Sequence, residues 1–246
     1  MSVEHEQAKE ANRRLYDALG ARYEDTDGRR SAQLERWLKK RLAALRERAP
    51  GGALIDLATG SGFVPRCAKS IFEKRVGVDI SERVLPESGQ DGVTYVAADC
   101  DKLPFEDASF DVVSCFAALH HMYSYEAMFR EAARVLKPGG IFYSDHDMDA
   151  AFARRFAGPL ALYRKLRGAE DEYKDLGIDT SLYAQAEVHS SGVDSQAITE
   201  LLQNCGFEPE PSFHWYGLNP WADKLFGERS YGRGFAPLFS CVAVKK

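Results

Sequence analysis

The stretch from Ala53 to Pro65 constrains the fold of this chain more than any other. It begins with a short apolar run, Ala53–Leu57, of the length expected for a buried strand. Gly60 and Gly62 then predict a tight turn. Pro65 suits the first turn of the helix that follows, because the N–H that proline lacks has no intrahelical partner there. A strand, a glycine turn and a helix form the unit with which α/β folds hold a nucleotide.

Four more strands are predicted after this unit, each separated from the next by a helix or a loop. They span Arg75–Ile80, Val93–Ala97, Phe110–Phe116 and Ile141–Asp145. Helices are predicted from Phe63 to about Phe72, from Ser81 onwards and over Tyr125–Leu136, with a turn over Lys137–Gly140. Strands that alternate with helices indicate a mostly parallel sheet.

The chain after residue 192 predicts a return to the sheet. Asp194 is the predicted N-cap of a helix that runs through Asn204, because its carboxylate can accept from the first free backbone N–H groups. Phe213–Leu218 and Pro237–Val244 are predicted as two last strands, joined as a hairpin by a long connection.

Composition and charge limit the classes of partner. The 246 residues contain no apolar run near the roughly 20 residues that span a bilayer, and the polar, acidic start, Met1–Glu10, is unlike a signal peptide. Five cysteines without a C-x-x-C pair favour a reducing compartment. A net charge of −5 argues against a broad nucleic-acid surface. We therefore expect a cytoplasmic monomer or homodimer with a small-molecule substrate, no membrane contact and no nucleic-acid partner.

Acidic residues at the strand ends indicate which part of a nucleotide is bound. Asp79 ends the second strand about twenty residues after the glycine turn, a spacing that suits hydrogen bonds to ribose hydroxyls. Asp99 follows the third strand, and the carboxyl ends of parallel strands line one crevice. A dinucleotide motif would need a third glycine where this chain has Pro65, and a P-loop would need a lysine that the turn lacks. The pattern favours a ligand that has ribose and adenine but no phosphate.

The stretch Ile55–Gly62 resembles the first motif of class I methyltransferases that use S-adenosyl-L-methionine. The resemblance continues in order through Val78–Ser81, Ala98–Cys100, Leu103–Asp111 and Arg134–Gly140, and the small-molecule (type 11) branch is the most similar. It implies a Rossmann-like α/β fold: a seven-stranded, mostly parallel sheet with an antiparallel last hairpin and helices on both faces. It also implies S-adenosyl-L-methionine as cofactor and S-adenosyl-L-homocysteine as product.

The resemblance implies a cofactor site at the ends of the first two strands. Gly60 and Gly62 would lie against the methionine part of the cofactor, and Asp56 would reach its amino group. Asp79 would bind both ribose hydroxyls. The family usually has glycine where this chain has Ala58, so we expect the alanine methyl group to crowd the cofactor and weaken its binding.

The same resemblance implies that the adenine end of the cofactor lies at the ends of the following strands. Ile80 would pack on the adenine ring, and Asp99 would accept from the adenine amino group with Cys100 beside it. Phe116 and Ala117, at the end of the fourth strand, would form the floor of the pocket.

The methyl acceptor needs a base only if it arrives protonated. His121 is the first candidate, because it follows the fourth strand where the cofactor's methyl group should point, whereas His120 should point into the packing of sheet and helix. Asp145 and His146, after the fifth strand, are the alternatives. A metal site built from these histidines with Asp147 is possible by ligand type. We expect no metal, because neighbouring histidines point in different directions.

Two helical segments are expected to close the crevice. Residues 1–48 predict two helices with a break at 25–28, and Tyr16 and Tyr23, two turns apart, are predicted to face the cofactor. Residues 147–192 predict a helical insertion that serves as a substrate lid, with a solvated helical decoration as the alternative. The expected organisation is therefore an N-terminal helical lid segment, 1–48, and a methyltransferase domain, 49–246, that contains the insertion.

Transfer of a methyl group to an O, N or C atom of a small metabolite is the function that the sequence favours. A catalytically inactive module that only holds the cofactor is a second possibility, which Ala58 and the uncertain base leave open. An RNA or protein methyltransferase is the third. The acidic charge and the lack of an Asn/Asp-Pro-Pro-Tyr/Phe motif after the fourth strand count against it.

Overall fold

The computed structural model describes residues 2–20, 23, 31–167 and 180–246. Its strands are β1 (Ala53–Leu57), β2 (Lys74–Asp79), β3 (Thr94–Ala97), β4 (Phe110–Phe116), β5 (Leu136–Met148), β6 (Phe207–His214) and β7 (Leu238–Lys245). Its α-helices are α1 (Val3–Leu19), α2 (Ala32–Arg48), α3 (Phe63–Cys67), α4 (Glu126–Val135), α5 (Ala150–Arg155), α6 (Ala157–Arg167), α7 (Thr180–Ala186), α8 (Ser195–Asn204) and α9 (Pro220–Phe226).

All seven strands belong to one sheet, in the order β3-β2-β1-β4-β5-β7-β6. The first five strands in this order are parallel, whereas β7 runs antiparallel to both β5 and β6. The predicted fold class, a Rossmann-like sheet with an antiparallel last hairpin, is therefore confirmed. Its order places the carboxyl ends of β1, β2 and β4 side by side.

Helices cover both faces of this sheet. On one face, α2 buries Leu38 and Leu42 against side chains of β1, β4 and β5. On the other face, α4 and α8 bury Phe129 and Leu202. The central strand β4 is buried almost throughout, so it is an apolar run rather than an alternating pattern, as expected for a strand covered on both sides.

The helix α1 lies outside these two cores. Its Leu15 and Leu19 form a small separate cluster with Ala186 of α7, so the two segments expected to be lids contact each other. The predicted break at 25–28 and the centre of the insertion lie outside the described residues. That these segments act as lids stays a prediction. None of the described helices combines the length and the apolar composition needed to cross a bilayer.

Two predicted helices differ from the structure. The helix α3 ends at Cys67 rather than near Phe72, because the chain unwinds into tight turns in which Ser70 has a φ of +68°, outside the helical range. No helix begins at Ser81. Its backbone N–H instead donates to Asp79 Oδ1 over 2.9 Å, and the residues that follow form turns.

Two strands also begin earlier than predicted. The segment Lys137–Gly140 is part of β5 rather than a separate turn, because it forms a bulge opposite β4, with Gly139 at a φ of +72°. The strand β6 begins at Phe207 and ends at His214, although Pro209 and Pro211 interrupt its apolar pattern. An edge strand tolerates such prolines, because one side of its backbone has no partner strand. The predicted hairpin and the Asp194 cap of α8 are confirmed.

Candidate functional site

The glycine turn after β1 needs glycine at both positions. Gly60 and Gly62 have φ values of +53° and +80°, in the region that glycine occupies without strain. A Cβ atom added to Gly62 would lie 2.1 Å from Tyr95 Oη, and one added to Gly60 would lie 3.0 Å from Tyr23 Cε1. The turn is therefore packed closely from both sides, and Tyr23 lies over it.

The Asp79 carboxylate ties this turn to the end of β2. Its Oδ2 accepts from the Gly60 N–H and its Oδ1 from the Ser81 N–H, both over 2.9 Å. Asp79 is buried, and this burial raises the pKa of its carboxyl group. The residue expected to bind ribose thus also fixes the backbone on which the cofactor would lie.

Ala58, which joins β1 to the turn, has a left-handed backbone with a φ of +52°. Its side chain packs against the apolar core on one face of the sheet. A left-handed residue with a Cβ atom is strained, whereas glycine is not. The preference for glycine at this position in the related family therefore has an explanation in the backbone, and crowding of the cofactor stays a prediction.

Asp56 lies beneath the turn, in β1. Its Oδ1 accepts from the Ser114 hydroxyl over 2.6 Å, and its side chain is almost completely buried. This burial raises the pKa of Asp56 to about 7. Its carboxyl group is therefore predominantly protonated below that pH.

At the predicted adenine site, a lysine of α1 contacts the acidic residues. Lys9 Nζ lies 2.7 Å from Asp99 Oδ2 and 2.6 Å from Asp101 Oδ2. A cleft of about 310 Å³ opens between α1 and the sheet edge, and Ile80 and Asp99 line it. Cys100 is partly buried nearby, and burial raises the pKa of its thiol. The sequence analysis did not identify Lys9 as a residue of this site.

Contacts of α1 continue along the whole crevice. Beyond Lys9, the Ser81 hydroxyl donates to Asp17 Oδ1 over 2.6 Å. Tyr16 and Tyr23 pack edge to face, with ring centroids 5.5 Å apart, next to Gly60. The helix therefore extends over the ends of β3 and β2, and Tyr23 beyond it covers the end of β1.

Tyr16 also contacts the first candidate base. Its Oη lies 2.7 Å from His121 Nε2, while His121 Nδ1 lies 3.1 Å from the Ala186 carbonyl oxygen. A carbonyl oxygen only accepts, so Nδ1 carries the proton and Nε2 accepts from the tyrosine hydroxyl. Burial lowers the pKa of His121 well below its usual range, which keeps the imidazole neutral.

His120 points towards β5. Its Nδ1 lies 2.7 Å from Asp147 Oδ1, which also accepts from the His120 backbone N–H over 3.0 Å. Glu187, directly after α7, brings Oε1 within 3.8 Å of His120 Nε2 and 3.9 Å of His121 Nδ1. The sequence analysis missed Glu187, since nothing in its local pattern indicates that α7 returns to the end of β4.

Asp145 is the centre of a buried polar cluster. Its Oδ1 accepts from His214 Nε2 over 2.7 Å and from His146 Nδ1 over 2.9 Å, and its Oδ2 accepts from the Tyr143 hydroxyl over 2.6 Å. Burial alone would raise the pKa of Asp145, but the two histidines outweigh it and hold that pKa well below its usual range. The side chain is completely buried, so it has no surface with which to contact an acceptor and instead positions His146.

His146 lies between this cluster and the predicted pocket floor. Its ring stacks on Phe116 with centroids 4.5 Å apart, and its backbone φ is +69°. The backbone at Gly217 covers its Nε2, since a Cβ atom there would lie 2.3 Å from that nitrogen. Ala117, at a φ of +53°, donates its N–H to the Asp145 carbonyl over 2.8 Å. Among the described residues, Nε2 of His146 has no hydrogen-bond partner.

Two groups of described side chains have the composition of metal ligands. They are His120 with His121 and Glu187, and Asp145 with His146 and His214. In the second group the donor atoms are 2.7 and 2.9 Å apart, whereas ligands around tetrahedral zinc are about 3.3 Å apart. In the first group His121 Nδ1 carries a proton. The second group has the separations of hydrogen bonds, whereas Glu187 Oε1 in the first group lies 3.8 Å from His120 Nε2 and 3.9 Å from His121 Nδ1.

Residues 55–144 match a family model described as a methyltransferase domain. A demethylmenaquinone methyltransferase of Corynebacterium urealyticum is 33% identical over 126 residues, which cover 51% of this chain and 55% of the relative. The match thus spans about half the length of that relative.

Two solved structures share the fold at low sequence identity. The magnesium protoporphyrin IX methyltransferase of Synechocystis PCC 6803, with bound S-adenosylhomocysteine, superposes with a TM-score of 0.58 at 15% identity and covers 96% of this chain and all of its own. The [4+2]-cyclase SpnF gives a TM-score of 0.59 at 18% identity, with 95% of this chain and 94% of its own covered. These likenesses concern the fold alone.

Proposed function

Because residues 55–144 match a methyltransferase-domain model, we propose that this chain is a class I S-adenosylmethionine-dependent methyltransferase that transfers a methyl group to a small molecule. In such a step the acceptor atom forms a bond to the methyl carbon while the carbon–sulfur bond breaks. The electron pair of that bond goes to sulfur, so the sulfonium becomes the neutral thioether of S-adenosyl-L-homocysteine, and the acceptor loses a proton. The acceptor atom is an oxygen, nitrogen or carbon.

One observation carries the proposal: the Asp79 carboxylate reaches the glycine turn. It hydrogen-bonds to Gly60 at one oxygen and to Ser81 at the other, at the carboxyl ends of β1 and β2. A carboxylate in this position suits the ribose hydroxyls of the cofactor. The Asp56 carboxylate beneath suits its amino group. The acidic character of this edge also complements a positively charged sulfonium.

We further propose that α1 and α7 close the site. The contacts of α1 with Asp99, Ser81 and His121, together with that of Tyr23 with Gly60, fit a segment that covers a bound cofactor and excludes water from the reacting atoms. Positioning of the acceptor against the methyl carbon then supplies much of the rate. The Tyr16 hydroxyl takes the acceptor's proton while it passes its own proton to His121 Nε2, so His121 serves as the base through Tyr16.

The acceptor in this proposal is a small metabolite. The curated relative acts, by its name, on demethylmenaquinone, a small organic molecule. The rings of Phe63, Phe116 and His146 pack on one another at the end of β4 and would suit an apolar or aromatic acceptor. A cytoplasmic location and a monomeric or homodimeric state rest on the sequence alone and stay predictions.

The second candidate is a module that holds the cofactor without methyl transfer. Two observations favour it: the fold is shared with a cyclase, and Lys9 already occupies Asp99, the expected partner of adenine. Isothermal titration with S-adenosyl-L-methionine, followed by assay of S-adenosyl-L-homocysteine formation with a panel of phenols, quinols and amines, separates the two. Binding with turnover supports the enzyme, binding without turnover across the panel supports the module, and absence of binding refutes both.

A further inference from the structure

Two stretches of this acidic chain carry a net positive charge. Residues 150–167 contain five arginines and lysines and no carboxylate, and residues 215–235 contain three with two carboxylates. These 39 residues together carry a charge of +6, which leaves −11 on the other 207, given the net charge of −5. Both stretches are therefore positively charged within a chain whose net charge is negative.

The same two stretches hold most of the exposed large apolar side chains. Seven such side chains are exposed in the part of the chain that the structure describes, and five of them lie here: Leu162, Leu218, Trp221, Leu225 and Phe235. Trp221 is 81% exposed and Leu225 is 74% exposed. Apolar groups that cluster on a surface in this way mark an interaction site.

Aromatic packing joins the two stretches into one surface. Phe226 of α9 stacks on Trp215 with ring centroids 4.4 Å apart, and Trp215 packs edge to face on Phe152 of α5 at 5.2 Å. The Arg155 guanidinium lies 4.0 Å above the ring of Phe235. The helices α5 and α9 are therefore held together, and we call the surface formed by Arg154, Arg155, Trp221, Lys224, Leu225 and Phe235 the α5–α9 face.

The cations of the α5–α9 face are not neutralised. Arg154, Arg155 and Lys224 have no ion pair with any described carboxylate, whereas the nearby Arg233 and Lys40 pair with Asp194 and Glu228. Trp221 and Leu225 are four residues apart, so they project from the same side of α9. A partner that fits this face must be apolar and negatively charged at once.

We propose that the α5–α9 face binds the surface of a membrane that contains anionic lipids. Tryptophan and leucine side chains enter the boundary between head groups and acyl chains, while arginine and lysine contact the lipid phosphates. Such a contact requires no spanning segment, so it is compatible with the described helices, although the sequence analysis expected no membrane partner. The face adjoins the site, because α5 begins two residues after β5 ends.

Co-sedimentation with vesicles tests this proposal without reference to methyl transfer. The full chain is mixed with vesicles of phosphatidylcholine alone or with phosphatidylglycerol, at low and at high salt. We expect the wild type to sediment with the anionic vesicles at low salt and to be released at high salt, because screening weakens the attraction. The emission of Trp221, obtained as the difference between wild type and Trp221→Phe, shifts to the blue on binding.

Variants at exposed positions decide the assignment. Trp221→Ser with Leu225→Ser, and Arg154→Glu with Arg155→Glu, should each lower the partition coefficient at least about tenfold. Val3→Ser, and Arg48→Glu with Arg130→Glu, make matched changes on other surfaces and should leave it within about twofold. Equal sedimentation with both vesicle types, or face variants that bind like the wild type, would overturn the proposal. So would concentration-dependent dimerisation that only the face variants lose, since the face would then bind a second copy of this chain.

Discussion

Tyr16 Oη and His121 Nε2, from residues 105 positions apart in the chain, lie 2.7 Å from each other at the end of β4. The Ala186 carbonyl fixes the proton of His121 on the other ring nitrogen. Three separate segments of the chain therefore meet at this imidazole: α1, the turn after β4 and the end of α7. The candidate base does not act alone but shares its lone pair with a hydroxyl group.

The first prediction is that Tyr16 and His121 act as one unit. His121→Ala should lower turnover by roughly 10²–10⁴-fold with little change in cofactor affinity. The turnover of Tyr16→Phe should lie within about tenfold of that of His121→Ala. The double variant should lose no more than the worse single one, because coupled residues are not additive. Steady-state kinetics and calorimetric titration measure both quantities. Additive losses, or unchanged turnover in His121→Ala, would refute the assignment of Tyr16 and His121 as a catalytic pair. His146 would then be the next candidate.

The second prediction concerns Asp79. Asp79→Ala should weaken S-adenosyl-L-methionine binding at least about tenfold, since each charge-assisted hydrogen bond contributes roughly 1.5–3 kcal/mol. It should also lower stability, because the Gly60 and Ser81 N–H groups lose their acceptor. Titration calorimetry and thermal unfolding measure the two effects. Asp17→Asn, which alters the neighbouring bond to Ser81 Oγ and the ion pair with Arg13 but leaves both Asp79 bonds in place, is the control. Equal affinities of Asp79→Ala and wild type contradict the ribose assignment.

The third prediction concerns the left-handed backbone at Ala58. Ala58→Gly relieves roughly 1–2 kcal/mol of backbone strain but adds about 0.4–1 kcal/mol of unfolded-state entropy. Stability should therefore stay equal or rise by up to about 1.6 kcal/mol, and cofactor affinity should not fall. Ala97→Gly, in the extended strand β3, should instead cost about 0.5–1 kcal/mol. Urea unfolding of both variants checks this, and a loss at position 58 as large as at position 97 would refute the strain argument.

The fourth prediction uses the raised pKa of Asp56, about 7 in the folded protein. Between pH 4 and 7 the folded state keeps a proton that the unfolded state has released, so this group makes the folded state less stable as pH rises. The contribution of Asp56 to the free energy of unfolding changes by at most about 1.4 kcal/mol per pH unit. Asp56→Asn removes this pH dependence, so the stability of the variant relative to wild type should increase from pH 5 to pH 8. Denaturant unfolding across this range tests the prediction, with Asp107→Asn as the matched substitution at an exposed position.

The fifth prediction concerns the N-terminal segment. Neither of the two large cores of the sheet contains a residue of α1, so deletion of residues 1–28 should leave a cooperatively folded sheet. The deletion should nevertheless abolish most activity, because Tyr16, Tyr23 and the covering helix are lost. Circular dichroism and turnover assays report the two outcomes. A truncated protein with full activity would show that α1 is not a lid.

The sheet was predictable because its central strands carry their signal locally. Ala53–Leu57 and Phe110–Phe116 are apolar runs with clear ends, and the structure reproduces both ranges. The strand β6 was misplaced because an edge strand with alternating prolines has no apolar pattern to recognise. That displacement put His214 at the start of a predicted strand, whereas it ends β6 and there reaches Asp145.

The site was predictable only where both partners belong to motifs of the same family. The glycine turn and Asp79 belong to motifs about twenty residues apart, so the resemblance to a family identified them together. The pairs Lys9–Asp99, Tyr16–His121 and His214–Asp145 join distant segments, and no spacing rule in a single sequence connects them. Glu187 was missed for the same reason.

Three residues other than glycine, Ala58, Ala117 and His146, adopt left-handed backbones where the adjacent strands β1, β4 and β5 reach the site. A branched Cβ is excluded from such a conformation, so valine, isoleucine and threonine will be absent at all three positions in any collection of functional variants. Their immediate predecessors, Leu57, Phe116 and Asp145, are extended and face no such restriction from the backbone. Mutational tolerance along this edge will thus change abruptly between neighbouring residues, and a saturation library will outline the rim of the crevice before any ligand has been identified.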